Sequence, residues 1–95
     1  MKKNEQTLGE AIRGMLKAYG LEERMSEMDA IQSWEKLMGP VIAKYTKDLR
    51  IKNDILYIRL ASASLKEELH YSREKIIKGL NKEAGREVVK EIRFI

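Results

Sequence analysis

Apolar residues near the start of the chain recur at the spacing of an α-helix. Thr7 and Glu10 stand three residues apart, as in a capping box, and Gly20 is a residue type that commonly ends helices. These signals predict a first amphipathic helix between Thr7 and Gly20. Its apolar face consists of Leu8, Ile12, Met15, Leu16 and Tyr19.

The helical period continues in a second amphipathic helix, which is predicted from about Ser26. Gly39-Pro40 interrupts this helix, and Pro40 opens a new turn because the N–H that proline lacks is not needed there. The spacing of Trp34 from its apolar neighbours favours a core position over ligand stacking. The whole apolar stripe consists of Met28, Ile31, Trp34, Leu37, Met38 and Val41.

The period changes to alternation in "DLRIKNDILYIRL", residues 48–60. A two-residue turn at Asn53-Asp54 predicts a β-hairpin in which residue 52 pairs with 55, 50 with 57 and 48 with 59. This register separates the side chains by polarity, which supports it independently of the turn. One face carries Leu49, Ile51, Leu56, Ile58 and Leu60, and the other carries Asp48, Arg50, Lys52, Ile55, Tyr57 and Arg59.

The last third of the chain returns to the helical period. Ser64 and Glu67 form a second capping box, which predicts one long helix that ends at Gly85. Its core line is Leu65, Leu69, Ser72, Ile76 and Leu80. At about 100° per residue, an exposed sector of the same helix groups Tyr71, Lys75, Lys78 and Lys82. Residues 88–95 then alternate as a strand, with Ile92 and Phe94 inward and Glu91 and Arg93 outward.

The element order α-α-β-β-α-β predicts a single α+β domain over residues 1–95. We expect a small three-stranded sheet with the helices packed on one face, and a core that includes Trp34, Leu69, Leu80 and Phe94. The absence of cysteine excludes disulfide frameworks and thiol chemistry. No apolar run follows "MKKNEQT", so neither a secretory signal nor a membrane span is expected, and the expected location is the cytoplasm.

The net charge of +4 is distributed unevenly. Residues 1–45 hold seven basic and seven acidic side chains, whereas residues 46–95 hold twelve basic and eight acidic ones. The positive field of the second half attracts polyanions such as nucleic acid. Catalysis is not expected, because the single histidine, His70, has no nearby partner residue that would activate a nucleophile or complete a metal site. We expect neither a cofactor nor a metal, and we interpret His70 as a surface residue.

Several of these landmarks together resemble the bacterial DciA-like family, long catalogued as a domain of unknown function. They are Trp34, Gly39, the hairpin, Glu68-Leu69, Leu80-Asn81 and the closing Arg93-Phe94, and they cover about residues 21–95 after the N-terminal helix. The resemblance implies a KH-like fold, DNA binding and a role in loading the replicative helicase. KH domains grip nucleic acid with a Gly-x-x-Gly loop. No two of the six glycines here are three residues apart, so that loop is missing.

The outer hairpin face has three interpretations. Arg50, Lys52, Tyr57 and Arg59 are the first candidate nucleic-acid site, since an aromatic ring between cations stacks a base and holds its phosphates. Alternatively the face is solvated, with Asp48 pairing with Arg59 and Arg50 stacking on Tyr57. A third interpretation is an apolar patch that contacts another subunit or a partner protein, formed by Ile55, Tyr57, Val89 and Ile95.

Tyr71, Lys75, Lys78 and Lys82 form the second candidate surface, which is either a phosphate-tracking stripe or the wet side of an amphipathic helix. The sequence therefore predicts a non-enzymatic domain that binds single-stranded DNA in preference to RNA. The alternative is a protein-interaction module that docks on the replicative helicase or another replication factor. In either case we expect no membrane contact, and a monomer or weak dimer.

Overall fold

The computed structural model describes residues 7–95; the targeting expectation for the N-terminus concerns mainly residues 1–6, which lie outside this range. The helices are α1 (Leu8–Ala18), α2 (Glu22–Gln32), α3 (Trp34–Met38), α4 (Pro40–Tyr45), α5 (Ala63–Tyr71) and α6 (Arg73–Ala84). The strands are β1 (Thr46–Lys52), β2 (Ile55–Leu60) and β3 (Glu91–Phe94). They form one sheet in the order β1-β2-β3, with β1 antiparallel and β3 parallel to β2. The predicted α+β class is confirmed.

The capping box predicted for α1 is confirmed. Thr7 Oγ1 accepts a hydrogen bond from the N–H of Glu10, and the Glu10 carboxylate accepts one from the N–H of Thr7. The predicted start of the second helix was wrong, because α2 begins at Glu22, immediately after the turn that closes α1. The hydroxyl of Ser33 donates to the carbonyl of Ala30 at 2.8 Å, and α2 ends there before Trp34 opens α3.

The predicted long helix is broken at Ser72 into α5 and α6. The prediction also placed the cap two residues late, since Ser62 rather than Ser64 accepts the hydrogen bond from the N–H of Leu65. At the break, the guanidinium of Arg73 donates to the carbonyl of His70 at 2.9 Å and so satisfies one of the acceptors that α5 leaves open. Tyr71 and the three lysines of the second candidate surface therefore lie on different helices.

The hairpin register is confirmed pair by pair from Asp48 with Arg59 to Lys52 with Ile55. Asn53 has a φ of 53° and Asp54 a φ of 65°, as the two central residues of a type I′ turn require. Asparagine and aspartate tolerate this left-handed conformation better than most residues. The turn therefore sets the register that separates the apolar and polar faces of the hairpin.

The core lies between the inner face of the sheet and the helices. Its members are Ala30, Trp34, Leu56, Ile58, Leu69, Ile76, Leu80, Val88, Val89 and Ile92, and Phe94 packs against them while half-buried. The indole Nε1 of Trp34 donates to Thr46 Oγ1 at 3.0 Å, so its only polar atom is satisfied. Val89 is fully buried, which excludes it from the apolar surface patch considered above.

Asn81 connects the end of α6 to the segment that leads into β3. Its Oδ1 accepts hydrogen bonds from the N–H groups of Val88 and Val89, and its Nδ2 donates to the carbonyl of Val89, each at 2.9 Å. Val88 and Val89 are buried but belong to no strand, so the Asn81 side chain supplies partners that a sheet would otherwise give. This side chain therefore holds β3 in its position beside β2.

We expect Asn81→Ala to lower the free energy of unfolding by about 2–4 kcal/mol, because three part-buried hydrogen bonds are lost together. Asn81→Asp keeps an acceptor and loses the donor, so its cost should be smaller. Urea denaturation measures both changes. The neighbouring exposed Lys82→Ala is the control, expected within about 0.5 kcal/mol of the wild type. Equal stability of the Asn81→Ala and Lys82→Ala variants would contradict the role assigned to Asn81.

Candidate nucleic-acid interface

The polar side of the sheet places one aromatic ring between two arginines. Tyr57 of β2 pairs with Arg50 of β1 in the antiparallel ladder and with Arg93 of β3 in the parallel ladder. Because paired residues of neighbouring strands point to the same side of a sheet, the three side chains share one face. We call this surface the Tyr57 face. Its members are Asp48, Arg50, Lys52, Ile55, Tyr57, Arg59, Glu91 and Arg93.

Each of the two arginines is held by a carboxylate on its own strand. Arg50 Nε lies 3.0 Å from Asp48 Oδ2, and Arg93 Nε lies 2.8 Å from Glu91 Oε2. The hydrogen bond that Arg93 donates to Glu91 raises the pKa of Arg93 above its usual value. All four side chains are exposed to solvent or nearly so, and exposed ion pairs contribute only about 0–1 kcal/mol. The carboxylates therefore orient the guanidinium groups more than they stabilise the fold.

The ion pair of Asp48 with Arg59, which the solvated-face interpretation proposed, was wrong. Asp48 Oδ1 accepts a hydrogen bond from the N–H of Leu49 at 2.9 Å, which turns the carboxylate along β1 and towards Arg50. Arg59 makes no ion pair with any residue from Thr7 to Ile95, and in the same range no cation–π contact joins Arg50 to Tyr57. Within residues 7–95, Arg59 therefore has no ion-pair partner, whereas Arg50 is oriented by Asp48.

Both oriented arginines keep donors for a ligand. Arg50 and Arg93 use Nε for their carboxylates, and their terminal guanidinium nitrogens make no hydrogen bond within residues 7–95. A guanidinium presents five donors in a planar fork that matches the oxygens of a phosphate. The Tyr57 face therefore presents a ring flanked on both sides by donors for phosphate oxygens.

Helix α2 adds a wall to one side of the Tyr57 face. An open groove of about 710 Å³ lies between α2 and β1 and extends to Tyr57. We call it the α2 groove; its lining residues are Arg24, Glu27, Met28, Ile31, Arg50, Ile51, Lys52 and Tyr57. Met28 and Ile31 supply an apolar wall, while Arg24, Arg50 and Lys52 surround it with positive charge. An apolar surface beside cations suits a planar base with an attached phosphate.

Glu27 is the acidic member of the α2 groove. Partial burial raises the pKa of its carboxyl group, and the charges of Glu23 and Asp54 act in the same direction, against the opposing effect of Arg24. Glu27 makes no ion pair with another described residue. Its carboxylate therefore faces the groove without a partner and disfavours phosphate at that point.

Sequence reasoning missed Arg24, Glu27 and Arg93 as members of this site. Arg93 reaches Tyr57 only through the parallel pairing of β2 with β3, which joins residues far apart in the chain. Arg24 and Glu27 reach the groove through the packing of α2 along β1. Periodicity along the chain reports neither contact. The outward position of Arg93 in its alternating strand was the one available signal.

The second candidate surface is less coherent than the sequence predicted. Tyr71 ends α5 and is 82% exposed, while Lys75, Lys78 and Lys82 are exposed on α6 beyond the break. Glu83 lies next to this stripe and pairs with Lys36 of α3 at 3.1 Å. The lysines remain a basic stripe, but the aromatic residue does not lie in line with them on one helix.

The apolar face of α1 is uncovered. Leu8 is 78% and Tyr19 is 76% exposed, and Ile12 and Met15 are also exposed; only Leu16 of this face is half-buried. α1 is attached to α2 by a bidentate pair in which Arg13 donates to both oxygens of Asp29 at 3.0 and 3.3 Å. No residue of α1 is buried in the described structure. The face that the pattern assigns to the core is therefore open to a partner.

Comparison with known families gives one match over nearly the whole chain. Residues 7–94 match the family described as Dna[CI] antecedent, DciA. The match includes α1 and every strand of the sheet. No curated protein matches the chain. Within residues 7–95, no helix has the length and apolar character needed to cross a membrane.

We expect Glu27→Gln to stabilise the protein at neutral pH by up to about 0.5 kcal/mol. The folded state holds the Glu27 proton more tightly than the unfolded chain, because the pKa of this carboxyl is raised on folding. Its contribution to stability is therefore present at low pH and is lost as the pH rises through the folded-state pKa. Thermal unfolding of both proteins at neutral pH and near pH 4 measures the effect, which should shrink at the lower pH. Glu68→Gln, at an exposed position, is the control. A Glu27→Gln variant that is less stable than the wild type at neutral pH would contradict the raised pKa of Glu27.

Proposed function

The chain belongs to the DciA family, and we propose that it binds single-stranded DNA through the Tyr57 face without catalysing a reaction. Membership implies a role in DNA replication and helicase loading, and the family is one of helicase loaders rather than of known enzymes. A replication factor of this kind acts in the cytoplasm. The proposal adds to the family role a specific surface and a specific mode of contact.

The observation that carries the proposal is the position of Tyr57 between Arg50 and Arg93. A base that stacks on an aromatic side chain contributes about 1–3 kcal/mol, and any of the four bases has a face to stack. The free guanidinium donors on both sides are placed to bind the phosphates that flank such a base. This combination of stacking and phosphate contacts supports binding that depends little on the base sequence of the DNA.

The requirement for stacking favours single strands over duplexes. Tyr57 is part of a strand and cannot reach the face of a base that is stacked inside a double helix, whereas an unpaired base can turn outward. The preference for DNA over RNA rests on the replication role of the family. We identify no side chain as a reader of the ribose 2′-hydroxyl.

The charge of the Tyr57 face predicts weak binding. Its four cations are Arg50, Lys52, Arg59 and Arg93, and its two carboxylates are Asp48 and Glu91, which leaves a net charge of +2. A surface that neutralises only a few phosphates gains little from counterion release, so we expect dissociation constants of about 10⁻⁴ to 10⁻⁶ M. Binding should weaken steadily with added salt.

We predict that an Arg50, Lys52, Arg59→Glu triple variant loses at least about tenfold in affinity for a labelled single-stranded oligonucleotide at about 50 mM salt. Three phosphate contacts become repulsive in this variant. Tyr57→Ala should lose about fivefold or more, because it removes the stacking surface but no charge. Fluorescence anisotropy at about 50 and 200 mM salt measures both variants. The affinity of the wild type should decrease from the lower to the higher salt concentration.

The matched control is a Lys75, Lys78, Lys82→Glu triple variant, which makes the same change in net charge on α6. We expect it to lose less affinity than the Tyr57-face variant. Thermal unfolding should change little in either, since all six residues are exposed. Equal or reversed losses would contradict the ranking of the two surfaces, and binding that ignores salt would contradict the mode of contact.

A second function, docking on the replicative helicase, is supported by the uncovered apolar face of α1. Leu8, Ile12, Met15 and Tyr19 are spaced four, three and four residues apart and all are exposed. This spacing forms the seam by which one helix packs against another. We propose that α1 contributes this seam to the contact with the helicase, in addition to nucleic-acid binding by the sheet.

We predict that an Ile12, Met15→Ser variant weakens the complex with the replicative helicase of the same organism at least about tenfold, since two apolar contacts are lost. Isothermal titration calorimetry measures the complex. The oligonucleotide affinity of the double variant should stay unchanged, because α1 is not part of the Tyr57 face. Lys17→Ser on the polar side of α1 is the control. Unchanged helicase binding by the double variant would remove α1 from the interface.

A further inference from the structure

β3 is the free edge of the sheet opposite to β1. The strand order β1-β2-β3 gives β3 one neighbouring strand, and no other strand of the described chain covers its outer side. An edge strand presents N–H and C=O groups that form a ready template for another strand. Proteins commonly protect such an edge with a helix or with charged side chains. The edge of β3 is therefore expected either to be covered in one of these ways or to pair with another strand.

The backbone groups that face outward belong to Ile92 and Phe94. The N–H of Ile95 donates to the carbonyl of Ile58 at 2.8 Å, which shows that Ile95 directs its backbone groups towards β2. Successive residues of a strand turn these groups to opposite sides. Ile92 and Phe94 therefore direct their N–H and C=O groups away from β2, while their side chains point into or towards the core.

Helix α5 leaves a groove beside this edge instead of closing it. The groove has a volume of about 710 Å³, and we call it the β3 groove. On the α5 side it is lined by Ala63, Lys66, Glu67 and His70, whose spacing forms one stripe of the helix. On the strand side Ile92 and Phe94 line it. It has the form of a channel between a helix and an open strand edge.

The chemistry of the edge favours a peptide strand over nucleic acid as its occupant. Outward N–H and C=O groups of β3 need a partner that supplies acceptors and donors in turn, as another strand does. A phosphodiester backbone supplies only acceptors. The occupant that satisfies β3 is therefore an extended polypeptide.

The charged residues on either side of Ile92 are complementary to the same residues of a second copy of the chain. Glu91 precedes Ile92 and Arg93 follows it, and both point to the exposed face. If a second β3 runs antiparallel with the two Ile92 residues opposite each other, each Glu91 faces the Arg93 of the other copy. The two Ile92 residues then form a hydrogen-bonded pair, and the charged residues form the closer non-hydrogen-bonded pairs with Cα atoms about 4.5 Å apart.

We propose that two copies of this chain associate through β3, antiparallel and with Ile92 on the two-fold axis. The two ion pairs of Glu91 with Arg93, one within each strand at 2.8 Å, are exchanged for two such pairs between the copies. The contact is short, because β3 has four residues, so association is weak and depends on concentration. Two sheets joined in this way become one six-stranded sheet whose β2 strands lie about 14 Å apart.

The test is a charge exchange across the proposed axis. Glu91→Arg places two arginines opposite each other on both sides of the axis, and Arg93→Glu places two glutamates there. Each single variant should dimerise at least about tenfold more weakly than the wild type. An equimolar mixture of the two, and the Glu91→Arg, Arg93→Glu double variant, should both recover the dimer. Sedimentation equilibrium up to several hundred micromolar measures each protein, and circular dichroism confirms that each is folded.

The control is Lys47→Glu, which reverses an exposed charge on β1 at the opposite edge and should leave the dimer unchanged. A wild type that stays monomeric over the whole concentration range would overturn the proposal, as would a mixture that dimerises no better than its components. Shifts of the Lys66 and His70 amide signals on addition of an oligonucleotide, without a dimer, would assign the groove to nucleic acid instead. None of these outcomes depends on whether the Tyr57 face binds DNA.

Discussion

The hydrogen bonds of Asn81 determine where the last strand lies, and both the Tyr57 face and the open edge of β3 depend on that strand. Asn81 satisfies two N–H groups and one carbonyl of Val88 and Val89, which are buried in a segment without secondary structure. The chain can thus leave α6 and enter the sheet parallel to β2. Arg93 comes to lie beside Tyr57 as a result, and the outer edge of β3 lies beside α5. One amide therefore connects helix packing, the candidate DNA site and the open edge.

The sequence predicted the hairpin well because its determinants are local. Asn53 and Asp54 accept positive φ, and the residues on either side alternate in polarity, so both the turn and the register can be inferred from neighbours. The break at Ser72 was not predicted. The spacing of Ser64 and Glu67 matched a capping box, but the N–H of Leu65 was already bonded to Ser62. The capping-box spacing shows that Ser64 is able to cap the helix, but in the structure Ser62 caps it instead.

The composition of the Tyr57 face could be predicted only in part. The hairpin residues were identified, but the partner of Asp48 depends on the N–H of Leu49, which orients its carboxylate along the strand. Arg93 and the α2 residues join the site through contacts between distant parts of the chain. Hydrophobic periodicity predicted α1 as an amphipathic helix, and the helix is confirmed, but its apolar face is not buried within the described residues. Periodicity does not identify the surface against which such a face packs, and within residues 7–95 nothing covers Leu8 or Tyr19.

DNA binding by the Tyr57 face can be tested by titrating isotope-labelled protein with a short single-stranded oligonucleotide and following each residue with NMR. We expect the largest shifts on the Tyr57 ring and on the Nε–H signals of Arg50 and Arg93, with smaller changes along the α2 groove. The stripe of Lys75, Lys78 and Lys82 should show little change. Shifts concentrated on that stripe, with the Tyr57 ring unaffected, would contradict DNA binding by the Tyr57 face.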